Sequence, residues 1–206
     1  MKIIQMEVGN LGTNCYIVYN EQTLDAAVID PGGSAAAITA EINKANLNVK
    51  YIINTHGHAD HIAENDAVQQ ATGAKVLIHH EDAGMLTNAQ RNLSAFIGGG
   101  LVCRQADKLL SHNDIVKFGD IELKVLHTPG HTPGGICLLA NTVLFAGDTL
   151  FAESIGRTDF PGGSYTQLIN SIKENLLVLD DSVKVLPGHG PETTIGWERT
   201  HNSFIL

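Results

Sequence analysis

Seven side chains with ligand-forming chemistry sit at four places in this 206-residue chain. The densest group is Thr55-His56-Gly57-His58-Ala59-Asp60-His61, where four potential ligands fall within six residues. Imidazole nitrogen and carboxylate oxygen bind zinc at about 2.0–2.2 Å, and they also accept iron or manganese. Extended backbone would turn residues 56, 58 and 60 to one side, because side chains alternate along it. His61 would then open a helix and project from another direction, so that one loop serves two adjacent metal positions. Asp60 would lie near the positive end of that helix, which favours its ionised form. The other three candidates are His131, Asp148 and His189.

Each candidate lies just beyond an apolar run that reads as a strand. The first motif follows Tyr51–Ile53, His131 follows Leu123–Leu126 through Thr128-Pro129-Gly130, Asp148 follows Val143–Ala146 through Gly147, and His189 follows Val183–Leu186 through Pro187-Gly188. Glycine in such a loop lets the backbone turn sharply and approach other groups closely. Further strands are expected at Lys2–Val8, Asn14–Tyr19, Ala26–Ile29, Lys75–Ile78, Asp114–Phe118 and Gly135–Leu139. Helical spacing fits Ala35–Ala45, His61–Thr72, Glu81–Leu86 and Tyr165–Leu177, with Ser34 and Ser164 as N-caps. Strands dominate the start, strand–helix units follow, then a meander around 114–147, then strand–helix again. That order predicts two sheets with helices outside rather than a doubly wound parallel sheet. The least regular stretch, Thr87–Ala106, reads as a mobile loop over a site or as a plain surface connection.

The pattern His-x-His-x-Asp-His, followed by a distant His, Asp and His, resembles the metallo-β-lactamase fold superfamily from Asn14-Cys15-Tyr16 to His189. Phe145-Ala146-Gly147-Asp148-Thr149-Leu150 and Gly156-Arg157-Thr158-Asp159-Phe160 resemble its glyoxalase II branch, especially the small bacterial hydroxyacylglutathione hydrolases. The resemblance implies an α/β (α+β) fold, a four-layer αββα sandwich with metals at one edge. It also implies two divalent ions, zinc first, with iron or manganese as alternatives. His56, His58 and His131 would hold one ion; Asp60, His61 and His189 would hold the other. Asp148 would bridge them beside a water or hydroxide, making Asp60 and Asp148 the catalytic carboxylates. The expected reaction is hydroxide attack on an acyl-thiol such as S-lactoylglutathione. A thiolate leaves with a pKa near about 8.5 and needs little help from an acid.

The same branch offers a competitor, persulfide dioxygenase, with one iron on the equivalents of His56, His131 and Asp148; two His and one carboxylate suit oxygen chemistry at iron. Pro161-Gly162-Gly163 leans towards the small hydrolases. A diiron flavoprotein would carry Glu at His58, and a β-lactamase is not expected to carry Asp148. A metal-binding adaptor without activity is the alternative outside enzymes, although such proteins lose ligands and none is missing here. The larger glyoxalase II enzymes have a C-terminal helical domain that helps bind glutathione. The chain ends 17 residues after His189, so residues 1–206 are expected to form a single domain without it.

Arg157 could bind a substrate carboxylate or pair with Asp159 and hold its loop, the second being favoured. His127 is expected to be structural, with a hydrogen bond to a ligand as the alternative. His79, His80, His112 and His201 receive no ligand role. Tyr16 and Tyr51 read as core residues with a polar tip. The three cysteines, Cys15, Cys103 and Cys137, lack metal or redox spacing, and free thiols indicate a reducing compartment. With 13 basic and 22 acidic residues the net charge is −9, which argues against nucleic acid, including a tRNA-processing role, and against anionic membrane. No run of about 18 apolar residues occurs, and the N-terminus lacks a signal-like apolar segment. The chain is therefore expected to be cytoplasmic and to act on a small molecule; the oligomeric state is left open.

Overall fold

Strands with both faces buried should read as unbroken apolar runs, and several here do. In the computed structural model, which describes residues 1–96 and 98–206, the chain opens with β1 (Lys2–Val8), β2 (Thr13–Tyr19), β3 (Asp25–Ile29), α1 (Ala35–Lys44) and β4 (Asn48–Ile53). Two short helices, α2 (Ala59–Ile62) and α3 (Asn65–Thr72), lead to β5 (Lys75–His79), α4 (Ala83–Leu86) and β6 (Lys108–Leu110). The meander is β7 (Ile115–Phe118), β8 (Ile121–His127), β9 (Ile136–Ala140) and β10 (Val143–Gly147). A small hairpin, β11 (Leu150–Phe151) with β12 (Ser154–Ile155), comes next. Then follow α5 (Tyr165–Ser171), β13 (Lys184–Pro187), β14 (Thr193–Thr194) and α6 (Ile195–His201).

Two six-stranded sheets result, in the orders β1-β2-β3-β4-β5-β6 and β14-β13-β10-β9-β8-β7. Tyr16, Ile29, Ile53 and Leu77 of the first meet Leu123, Val125, Leu138 and Phe145 of the second in the core between them. On the outer face of the first sheet, Ile17, Val28, Ile52 and Val76 pack under Ile38 and Ile42 of α1 and Val68 of α3. On the outer face of the second, Cys137, Leu144 and Val185 pack under Leu168 of α5 and Ile172 and Leu176 just after it. Helix, sheet, sheet, helix is the expected αββα sandwich. At its site edge the sheets are stitched by main chain: Asn14 N–H donates to Gly188 O at 2.7 Å and Ile136 N–H to Thr55 O at 2.8 Å.

Three local expectations are corrected. The helix expected over His61–Thr72 is two helices, because Glu64 N–H is drawn to Pro31 O at 2.9 Å and leaves the helical ladder. Ser34 does not cap α1: it adopts left-handed backbone (φ 60°) and its side chain makes no capping bond, whereas Ser164 does accept from Gln167 N–H. Asp60 lies within α2 rather than on extended backbone, so strict alternation ends at His58. The stretch 87–106 is organised by the buried Asn92, whose amide donates to Met85 O and Leu101 O at 3.0 Å each; Ile97 in it lies outside the described residues. No helix among the described residues is long and apolar enough to cross a membrane.

Candidate metal centre

β4, β8, β10 and β13 all finish at the same edge of the sandwich. β10 runs parallel to β13 and, through two antiparallel steps across β9, parallel to β8. The loops leaving these four strands bring all seven predicted residues together. His58 Nδ1 is 2.9 Å from His131 Nε2, and the His56 ring lies 4.7 Å from His58 and 4.8 Å from His131. His61 Nε2 is 3.3 Å from His189 Nε2, and Asp60 Oδ2 is 3.2 Å from His189 Nε2. Asp148 spans both sets, with Oδ1 3.4 Å from His61 Nε2 and Oδ2 3.6 Å from His131 Nε2.

The hydrogen bonds behind the rings fix which nitrogen faces inward. Asp30, 2% exposed, accepts from Thr55 N–H at 2.7 Å and Thr55 Oγ1 at 2.6 Å. It also lies 3.0 Å from His61 Nδ1, which must donate to it. With its own proton given to Asp30, Thr55 Oγ1 is left to accept from His56 Nδ1 at 3.2 Å. His131 Nδ1 donates to Arg157 O at 2.7 Å. In all three rings Nε2 therefore faces the centre, the orientation that ligation needs.

Two buried atoms there have no hydrogen-bond partner, His56 Nε2 and Asp148 Oδ1. A buried acceptor left alone costs free energy, so these orphans call for a cation. Burial, reinforced by its histidine neighbours, pulls His58 down to about 3 and His56 well below its ordinary value, so both rings are neutral and able to ligate. Burial also disfavours charge on His61 and His189, but the carboxylates around them outweigh it. His61 is pushed up to about 10 by Asp148, Asp30 and Asp60, and His189 is raised mainly by its bond to Asp60. Burial works against ionisation of Asp60 too, yet His189 and His61 hold its carboxyl well below the usual range. In the bare chain the proton on His61 offsets part of the carboxylate charge; a dication would replace it. The nitrogen and oxygen donors fall into three groups, each within 4.8 Å: His56, His58 and His131; His56, His61 and Asp148; Asp60, His61 and His189. This set suits divalent zinc, iron or manganese.

Asp30 escaped the sequence reading, although Asp30-Pro31-Gly32 follows β3 and, like Asp148, sets a carboxylate near a glycine in the loop after a strand. So did Asp82, fully buried, which accepts from Gly57 N–H at 3.1 Å, Thr132 Oγ1 at 2.7 Å and Gly134 N–H at 2.7 Å. Asp82 thereby ties the His56–His61 loop to the loop that carries His131. Arg157 stands at the rim, its guanidinium held by both oxygens of Asp159 at 2.8 and 2.7 Å. His127 bonds Pro133 O at 2.9 Å and stacks on His79 at 4.0 Å, a packing arrangement that also brings Glu81 close. Tyr16 donates to Pro187 O at 2.7 Å, its polar tip holding the turn before His189.

With this fold and this centre, the chain belongs to the metallo-beta-lactamase superfamily, whose profile matches residues 8–189. It is 37% identical to the hydroxyacylglutathione hydrolase GloC of Haemophilus influenzae over 93% of this chain and 92% of that protein. It is 34% identical to the probable metallo-hydrolase YqgX of Bacillus subtilis over 100% and 98% of the two chains. Among solved structures it is similar to BLEG-1 B3 metallo-beta-lactamase (TM-score 0.94, 37% identity, 99% of each chain). It is also similar to TTHA1623 in a di-iron-bound form (0.87, 32%, 98% and 99%) and to ETHE1 from Myxococcus xanthus (0.82, 29%, 98% and 84%).

Proposed function

We propose that the protein is a metal-dependent thioesterase that hydrolyses a small acyl-thiol, in the manner of hydroxyacylglutathione hydrolases. The observation that carries this reading is Asp148, whose carboxylate lies between the two ligand groups, 3.6 Å from His131 on one side and 3.4 and 3.8 Å from His61 and His189 on the other. His56, His58 and His131 would hold one divalent ion and Asp60, His61 and His189 the other, with zinc the first candidate. When bound, such ions polarise a carbonyl and make water nucleophilic at neutral pH. The residues supply the rest. Asp30 and Arg157 O keep the rings aimed, and Asp60 and Asp148 offer carboxylate oxygens that orient the attacking water. The departing thiolate needs no protein acid, and the sequence likeness to GloC supports a thioester as substrate.

We read residues 1–206 as one such domain. Its partner is a small molecule rather than nucleic acid or membrane, and three free, buried thiols fit the cytoplasm. Persulfide dioxygenase is the second reading, kept by the Gly156–Phe160 segment and the likeness to ETHE1. The likeness to BLEG-1 makes a β-lactam the natural control. The test is thiol release from S-lactoylglutathione by the metal-replete protein, run beside oxygen uptake on glutathione persulfide. Thiol release without oxygen uptake is expected. Oxygen uptake with intact thioester would establish the dioxygenase, and a folded chain that performs neither reaction would point to an adaptor.

A further inference from the structure

The seven residues account for bond cleavage but not for what the substrate looks like on either side of the bond. A cavity of about 770 Å³ opens on His58, Asp60, His131, Asp148 and His189, and its apolar walls include Leu11, Leu93, Phe96, Phe151, Ile155 and Phe160. Beyond the proposed ligands its polar side chains are Asn92, Ser154 and Arg157. Asn92 spends its amide on two carbonyls and its oxygen on Ser94 N–H at 3.0 Å. Arg157 is gripped by Asp159 and lies flat on Phe160, 3.9 Å from the ring centre. Among the described residues no lysine and no second arginine lines the cavity. A second lobe of about 320 Å³ shares Leu11, Ala59 and Asp60 with it, and its lining of Gly9, Asn10, Gly98 and Gly99 adds main-chain groups but no cation.

Resting on the thioesterase reading, we infer that the large lobe holds an apolar acyl chain, and that the site does not read the charges of the thiol carrier. A carboxylate buried against these walls would find one arginine, at the rim and already sharing its charge with Asp159, and burial there is unfavourable without a full partner. A methylene buried against the same walls gains about 0.8 kcal/mol, roughly fourfold in rate or affinity. The volume suits a chain of several carbons with part of its carrier. The glycine-lined lobe suits the amide-bearing, uncharged part of a carrier.

The test uses the metal-loaded full chain. Acetyl, butanoyl, hexanoyl and octanoyl thioesters are made on N-acetylcysteamine, a neutral carrier, and on glutathione. We expect kcat/KM to rise about fourfold per methylene up to hexanoyl, with the two carriers within about tenfold of each other. Calorimetric binding of non-hydrolysable S-hexyl and S-ethyl thioethers of N-acetylcysteamine should show the same preference without turnover. Leu11→Asn and Phe96→Ala should flatten the dependence on chain length; Leu11 is 60% and Phe96 72% exposed, so folding does not rest on either. Rates indifferent to chain length, or glutathione esters favoured by about a hundredfold, would overturn the inference and leave the thioesterase intact. If every thioester stays uncleaved by protein carrying both metals, the thioesterase reading falls and the inference with it.

Discussion

Asp30 touches no substrate, yet it receives hydrogen bonds from Thr55 and His61 and, through Thr55, governs His56. Removing a carboxylate that orients ligating imidazoles typically lowers metal affinity about 10–100-fold. Asp30→Ala is therefore expected to weaken binding within that range, measured by competition with a chelator, and to weaken most the ion held by His61. Unchanged affinity for both ions would show that packing alone holds the rings. At this scale the sequence was highly legible. All seven proposed ligands could be picked from residue type and spacing, because metal chemistry admits few side chains and places them in short glycine-bearing loops. Asp30 and Asp82 were not picked, since a lone carboxylate after a strand carries no mark of what it will accept from.

The elements place these residues through close main-chain approach. A Cβ on Gly188 would overlap Asp148 Oδ1 and come within 2.8 Å of His61 Cε1, and one on Gly32 would overlap the carbonyl oxygen of Asp60. Gly188→Ala should consequently displace Asp148 and lower metal affinity by about tenfold or more, while the circular dichroism spectrum keeps its native form. Wild-type affinity in this variant would mean that the β13 loop has slack that the structure does not show. Strand positions were largely legible because burial on both faces writes a continuous apolar run, as in β2 and β10. What escaped depends on tertiary bonds. Pro31 O captures Glu64 N–H and breaks the expected helix, and α2 takes Asp60 off extended backbone.

Across the whole molecule, three thiols are buried in the packed layers. Burial pushes Cys137 from 9.0 up to about 11 and Cys103 up to about 12, with Asp66 and Glu64 adding to the second. Burial with the field of Asp30 raises Cys15 further. The folded chain thus keeps its thiols protonated where the unfolded chain releases those protons, so stability falls as pH rises above about 9. Each thiol contributes a slope of up to about 1.4 kcal/mol per pH unit until its folded value is reached. Urea midpoints should drop between pH 9 and 11, and Cys137→Ala should drop less steeply; parallel slopes would remove Cys137 from this account. The cavity was the least legible feature at this scale. Leu11, Phe96, Phe151 and Phe160 lie in separate segments far apart in the chain, and only the closed sandwich brings them to one cavity.

A dinuclear centre around Asp148 requires both ions for turnover. The most direct measurement is to strip the chain with a chelator, return zinc in known equivalents and follow thiol release from S-lactoylglutathione at each step. Release that stays low through the first equivalent and rises to its plateau with the second is expected. A plateau reached at one equivalent per chain, or hydrolysis that persists after complete removal of metal, would contradict the account.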